Sequence, residues 1–310
     1  MGLQVFEMVA PVILMIGLGF LCRKRGYMND QGLAGLKGVV GNITLPVVLF
    51  QAFFTADYSM RMLVVFLVVY ASFGIALAVG FALRKWVSPY GKFMPFLLTS
   101  AEGGMLGYAL YALIAGEENT SVFAMVDIGQ TLFAYTVFMT GLKIIDGKKA
   151  DAAGVLKEVV SNKACLGMLF GIVLGITGVG QWVLNSPVSG VVTSLIDFVT
   201  APTAGMILIV VGYELSFEKT LVVPVIKTVL LRLAVLGVLL VMGSMVIFTI
   251  IPFDKQLFMA LLLMYALPAP FIIPLFAEVG EDGAYISNTL SVGTLAAVVA
   301  FSGIIVYSMM

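Results

Sequence analysis

Glu102 is a lone carboxylate in an apolar stretch, 93–115, within the run Thr99-Ser100-Ala101-Glu102-Gly103-Gly104-Met105-Leu106-Gly107-Tyr108. Three glycines beside one acid weaken a helix, since each costs about 0.5–1 kcal/mol relative to alanine. A second apolar stretch, 256–278, carries Tyr265-Ala266-Leu267-Pro268-Ala269-Pro270, with Pro274 a turn later. Each proline removes a backbone donor and crowds the preceding turn, so a helix should open near 265–270. A broken helix exposes N–H groups and partial positive charge on one half, and carbonyls with partial negative charge on the other. Two facing breaks therefore offer sites for anionic groups and for cations with few charged side chains. Glu102 has two candidate chemistries: it can take up and release a proton, or ligate Na⁺ together with carbonyl oxygens. The alternative is a structural role, hydrogen-bonding the broken backbone.

Other polar groups stand inside apolar runs, where an ionisable side chain is costly unless paired or set in a cavity. Asp127 and Gln130 lie about one turn apart, on one helical face; Asp127 near a helix end and solvated is the plainer reading. Thr44 with Pro46, and Thr200 with Pro202, are candidates for shaping the crossing of the broken helices, and Asn288 and Thr289 near the start of the last run are separate site candidates. Asp197 lies a turn before Thr200. Arg232 reads as a snorkelling or paired residue, or as a counter-charge for an anion. Tyr108 and Tyr265 read as packing aromatics.

What is missing narrows the chemistry. The chain has no histidine, and its two cysteines, Cys22 and Cys165, are far apart, so no zinc or redox pair is indicated. No nucleotide motif and no nucleophile–base spacing is visible, so neither direct ATP drive nor an enzyme is expected. No cofactor and no dedicated metal site is expected, apart from Na⁺ near Glu102.

The elements that must position these residues follow from composition. Of 310 residues, 61% are hydrophobic and 11% charged, with a mean hydropathy of +1.11. Soluble domains carry roughly 45–50% apolar and about 25% charged residues. Lipid must therefore solvate much of this surface. Ten long apolar runs are expected to be membrane-spanning helices: 4–22, 33–54, 61–83, 93–115, 121–142, 163–182, 188–212, 221–251, 256–278 and 284–308.

Lys and Arg cluster after odd-numbered spans: Arg23, Lys24 and Arg25; Arg84, Lys85 and Lys92; Lys143, Lys148, Lys149, Lys157 and Lys163; Lys219 and Lys227. The opposite side keeps only Arg61 and Lys255. The bias places odd-numbered connections in the cytoplasm and both termini outside, in the plasma membrane. No Lys or Arg precedes the first span, which is therefore expected to be retained rather than cleaved. Residues 144–162 read as a connector with a short interfacial helix.

Five spans on each side of that connector, 1–143 and 163–310, force opposite orientations on the two halves. Ile43-Thr44-Leu45-Pro46 is echoed by Val199-Thr200-Ala201-Pro202, and Ala115-Gly116-Glu117-Glu118 by Val279-Gly280-Glu281-Asp282. Together these favour an inverted repeat, with the broken helices at corresponding places.

At these residues the chain resembles the auxin efflux carrier family of permeases along nearly its whole length. The resemblance rests on Leu18-Gly19-Phe20 with Arg23-Lys24-Arg25-Gly26, on Asn42-Ile43-Thr44-Leu45-Pro46, on Gly104 and Gly107, on Ala266-Leu267-Pro268-Ala269, and on Asn162. It implies ten helices in two inverted five-helix repeats, related to the sodium–bile acid symporter fold, with a scaffold part and a crossover-bearing transport part. It also implies organic-anion substrates such as auxin-like weak acids or dicarboxylates. Three positions depart from the family pattern: Glu102 replaces a common Asn, and Ala109 and Lys163 replace prolines.

The expectation is an all-α secondary carrier of a small organic solute, a carboxylate-bearing weak acid, with H⁺ and Na⁺ both open as coupling ions. Two alternatives stay open: a carrier of a cationic or zwitterionic solute neutralised by Glu102, and a membrane sensor that binds without transporting. The expected partners are the solute and the lipid bilayer, with a homodimer as an open expectation and no nucleic acid.

Overall fold

The computed structural model describes residues 2–56, 58–145, 147, 154, 160–271, 273 and 282–310, and among these every regular element is helical. The chain begins with α1 (Gly2–Arg25), which carries Arg23, Lys24 and Arg25 in its last turn, where cations complement the helix dipole. Next come α2 (Asp30–Val39), a π-helical turn (Val40–Thr44) and α3 (Leu45–Phe54), which form one continuous rod. After α4 (Met60–Leu83) the expected fourth span is split into α5 (Met94–Leu98) and α6 (Tyr108–Ala115). A further rod joins α7 (Thr120–Phe133), a π-helical turn (Ala134–Phe138) and α8 (Met139–Ile145).

In the second half, α9 (Lys163–Ile176) stops at Gly178, whose φ of +76° suits glycine, and α10 (Val179–Leu184) follows. The next rod is interrupted at Ala201-Pro202, between α11 (Ser189–Thr200) and α12 (Thr203–Glu214). Then come α13 (Val222–Ile250), α14 (Lys255–Ala266) and α15 (Gly283–Ser308).

Seven of these rods are long and apolar enough to cross a membrane. The expected spans at 93–115, 163–182 and 256–278 are not among them. The first is broken at Thr99–Glu102, the second reaches only 14 helical residues before Gly178, and α14 stops after 12. The interfacial helix expected within 144–162 falls largely outside the described residues, as do Pro274 and the Val279-Gly280-Glu281 part of the sequence echo.

Helix α13 shows why the exterior is lipid-facing. Val225, Val229, Arg232, Leu236 and Leu239 are buried, while Val223, Leu230, Val238 and Val241 on its other face are exposed. Both faces are apolar, so the outer one is matched to hydrocarbon rather than water.

The helices pack as two groups. In one, α1 lies on α12, α9 lies on α3, and α2 and α11 complete the set. In the other, α4, α5, α7, α13, α14 and α15 pack on one another. Without a hydrophobic drive in lipid, helix pairs are held by close contact, which small residues permit. A side chain on Gly212 would meet the Ile16 carbonyl at 1.9 Å, and one on Gly167 would meet the Pro46 carbonyl at 2.1 Å. The second group is tied by an Arg61–Asp254 ion pair, whose aspartate also caps α14 by accepting from Leu257 N at 3.1 Å. Burial disfavours the charged Asp254, but the Arg61 bond and charge and the Leu257 and Gln256 N–H groups together outweigh it and hold the carboxyl below its ordinary value.

Gly212→Ala is expected to lower stability by about 1–3 kcal/mol, because backbone must shift to admit the methyl group. Gly17→Ala on α1, with open space around it, should leave the thermal unfolding midpoint in detergent unchanged.

Candidate functional site

The two breaks expected from glycine and proline lie side by side. After α5, Thr99 is extended and Ser100 adopts a left-handed φ of +58°, a conformation that is costly for a residue with a side chain. The strain is supported from two sides. Gln130 Nε2 donates to Ser100 Oγ at 2.9 Å and to the Ala101 carbonyl at 2.6 Å, and Arg232 Nη2 donates to the Ser100 carbonyl. The chain re-enters helix through a π-helical turn, Gly103–Gly107. Glycine is required at Gly103, where a Cβ would stand 2.3 Å from Asp127 Oδ1. The second break opens at Leu267, which precedes Pro268 and is extended at φ −61°, ψ 152°.

Glu102 joins the two breaks. Its N–H donates to the Pro268 carbonyl at 3.0 Å, and its Oε2 accepts from the Phe271 N–H at 2.7 Å. The carboxylate thus answers a backbone donor just past Pro270, and the reading of Glu102 as a partner of broken backbone is met by this geometry. It also borders a cavity, so the two readings are not exclusive.

Arg232 is neither a snorkelling residue nor a counter-charge facing a cavity. It is 3% exposed and spends its guanidinium on four carbonyls. Nε and Nη2 donate to Leu267 O at 3.2 and 2.8 Å, Nη1 donates to Leu97 O and Thr99 O at 3.1 Å each, and Nη2 also reaches Ser100 O. These carbonyls close the C-terminal ends of α5 and α14, where helix dipoles concentrate negative charge. One planar cation therefore caps two half-helices at once.

Asp127 is 1% exposed. The Thr131 hydroxyl lies 3.2 Å from both Asp127 Oδ2 and Gln130 Oε1 and can donate to either. Asp127 Oδ1 has no hydrogen-bond partner, and neither does the neighbouring, buried Tyr108 hydroxyl. The plainer reading of a solvated aspartate is thus not what the fold provides.

Two cavities meet here. The larger, about 290 Å³, is lined by Glu102, Asp127, Gln130, Tyr135, Cys165 and Pro270, with the Lys37–Glu214 ion pair also on its wall. The smaller, about 40 Å³, is lined by Tyr108, Glu117, Thr120, Thr200 and Thr203. Leu45 and Gly104 border both and form the partition. Among the described residues no group of three or more acidic, Cys or His side chains is poised for a metal, so an ion beside Glu102 would draw on carbonyls and hydroxyls.

The other sequence candidates are placed unevenly. Thr44 is buried without a hydroxyl partner, and Pro46 starts α3 with its carbonyl against Gly167. Pro202 is exposed and produces the α11–α12 interruption, and Asp197 is exposed on α11. Asn288 is away from the breaks: it accepts from Glu218 N and donates to Ala284 O at 2.8 Å, fixing the chain after α12. Tyr135, Cys165 and Thr203 escaped the sequence reading. Tyr135 is five residues beyond Gln130, and the π-helical turn that follows α7 resets the register that a regular helix would give.

Arg232→Met would strand four buried carbonyls and is expected to cost more than about 3 kcal/mol. Arg232→Lys should recover less than half of that, because a compact ammonium lacks the fork that spans both half-helices. Thermal unfolding of the two variants in detergent reads both effects.

Comparison with known proteins places this geometry. The family model described as membrane transport protein matches residues 4–305. An uncharacterized transporter of Methanothermobacter thermautotrophicus strain Delta H is 22% identical over 218 residues, covering 68% of each chain. With a match over nearly its full length, the chain belongs to the membrane transport protein family of auxin efflux carriers, and is a multi-pass membrane transport protein rather than an enzyme.

Proposed function

We propose that this protein is a secondary carrier that moves a small, carboxylate-bearing organic solute by alternating access around the two broken helices. The observation that carries the reading is the crossover itself: two breaks bonded at Glu102 N–Pro268 O, with a solute-sized cavity on one side and a smaller one on the other. Backbone donors at a broken helix suit a carboxylate without a dedicated cationic side chain.

The finer architecture in this reading is ten spans in two inverted repeats, 1–143 and 163–310, joined by 144–162. Reciprocal packing supports it. The first helix of each half lies on the second span of the other, α1 on α12 and α9 on α3, and each contact brings a glycine onto a carbonyl. The Lys and Arg bias then puts the larger cavity toward the cytoplasm and both termini outside, in the plasma membrane. Gln130 would hold the solute, and Glu102 would position the crossover. Coupling to H⁺ or Na⁺ would draw on the carboxylates of the larger cavity. A second reading, a cationic or zwitterionic solute, is favoured by one observation: both Glu102 and Asp127 border that cavity.

Counterflow of labelled indoleacetate, succinate or an amino acid in proteoliposomes is expected for one acidic solute, and Gln130→Ala should weaken its half-saturation at least several-fold. Uptake of amino acids alone would favour the second reading. Solute-induced thermal stabilisation with no counterflow for any of them would contradict a carrier and indicate a sensor.

A further inference from the structure

Glu102 and Asp127 border one cavity but are served differently. Glu102 accepts from the Phe271 N–H at a broken helix end. Asp127 has the shared Thr131 hydroxyl on Oδ2, and beside it the Tyr108 hydroxyl, which does not meet Oδ1 in hydrogen-bonding geometry. A carboxylate buried in an apolar span with so few donors is costly to keep charged.

The surroundings say by what. Around Asp127 stand Glu102 on the first break, Tyr108 on α6, Tyr135 on the π-helical turn and Cys165 on α9. The cavity's lysine, Lys37, is paired with Glu214, and Arg232 spends its donors on carbonyls. Among the described residues no unengaged cation faces Asp127. Tyr108 has a second property: its buried hydroxyl neighbours Asp127, and it also lines the smaller cavity, on the other side of the Leu45–Gly104 partition. The smaller cavity, about 40 Å³ against about 290 Å³ for the larger, has room for a few waters. A proton can use that route and an organic solute cannot.

We propose that Asp127 is the proton carrier of the crossover and that Tyr108 links it to the smaller cavity. A hydronium ion in the smaller cavity gives a proton to the Tyr108 oxygen as the Tyr108 hydroxyl proton passes to Asp127 Oδ1. A water remains, Tyr108 is restored and Asp127 is neutral. Release breaks the Oδ1–H bond toward water in the larger cavity. The consequence for transport rests on the carrier reading above: a neutral Asp127 removes the repulsion that would keep an organic anion from a cavity already holding Glu102, so proton and solute move together.

Infrared difference spectra of the purified protein in liposomes, taken across a pH step, test this without any solute. A buried protonated-carboxyl stretch is expected in the wild type, lost in Asp127→Asn, moved in Asp127→Glu and kept in Glu102→Gln. Tyr108→Phe should shift its frequency and slow its response to the pH step. The proposal is overturned if the wild type shows no such band, if the band persists unmoved in both Asp127 variants, or if it answers to Na⁺ and not to pH. Because the readout needs no transport, an Asp127 band with no counterflow would sink the carrier reading and leave the proton site standing.

Discussion

One guanidinium holds the two breaks open and together. The half-helices α5 and α14 both end with bare carbonyls inside the membrane, where no water is at hand to satisfy them. Arg232, projected from the buried stripe of α13, answers Leu97, Thr99 and Ser100 on one side and Leu267 on the other. Every other feature of the site presupposes this closure. The left-handed Ser100, the Glu102–Pro268 bridge and the glycine contact against Asp127 all require the broken segments to stay in register. The charge on Arg232 is consumed in the process, so among the described residues the larger cavity is left with carboxylates and without an unengaged cation.

The two packing groups give the crossover something to work against. The group of α1, α2, α3, α9, α11 and α12 is knit by glycines pressed on carbonyls, which leaves little room for sliding within it. The breaks and Arg232 belong to the other group. Contact between the two sets near the partition runs through Leu45 and the Gly103–Gly107 turn, and elsewhere through α3 on α7 and α1 on α15. Two bundles, each packed within itself, are the arrangement that rocking of one bundle against another needs.

Much of this could be read from the sequence, and for physical reasons. Proline and glycine announce broken backbone locally, so 99–107 and 267–270 were legible without any tertiary information. Membrane embedding followed from composition. The role of Arg232 was not legible: its α13 neighbours are apolar on both faces, so the sequence did not say which face is inside. Its partners are carbonyls more than 130 and 35 residues away, and carbonyls carry no sequence signature. Asn288 was misplaced by the same blindness in reverse, since a polar residue in an apolar run can serve a nearby loop as readily as a distant site. Tyr135 was hidden because a π-helical turn shifts the face count that places Asp127 and Gln130 together.

The central claim is that the two breaks form a single unit closed by Arg232, and amide hydrogen exchange at Glu102 and Phe271 tests it most directly. Both N–H groups bond across the crossover, one to Pro268 and one to the Glu102 carboxylate. The account predicts that both are protected in the wild type and lose protection together in Arg232→Lys, while amides within α4 keep theirs. Fast exchange at either amide in the wild type, or loss at one without the other in the variant, would contradict it.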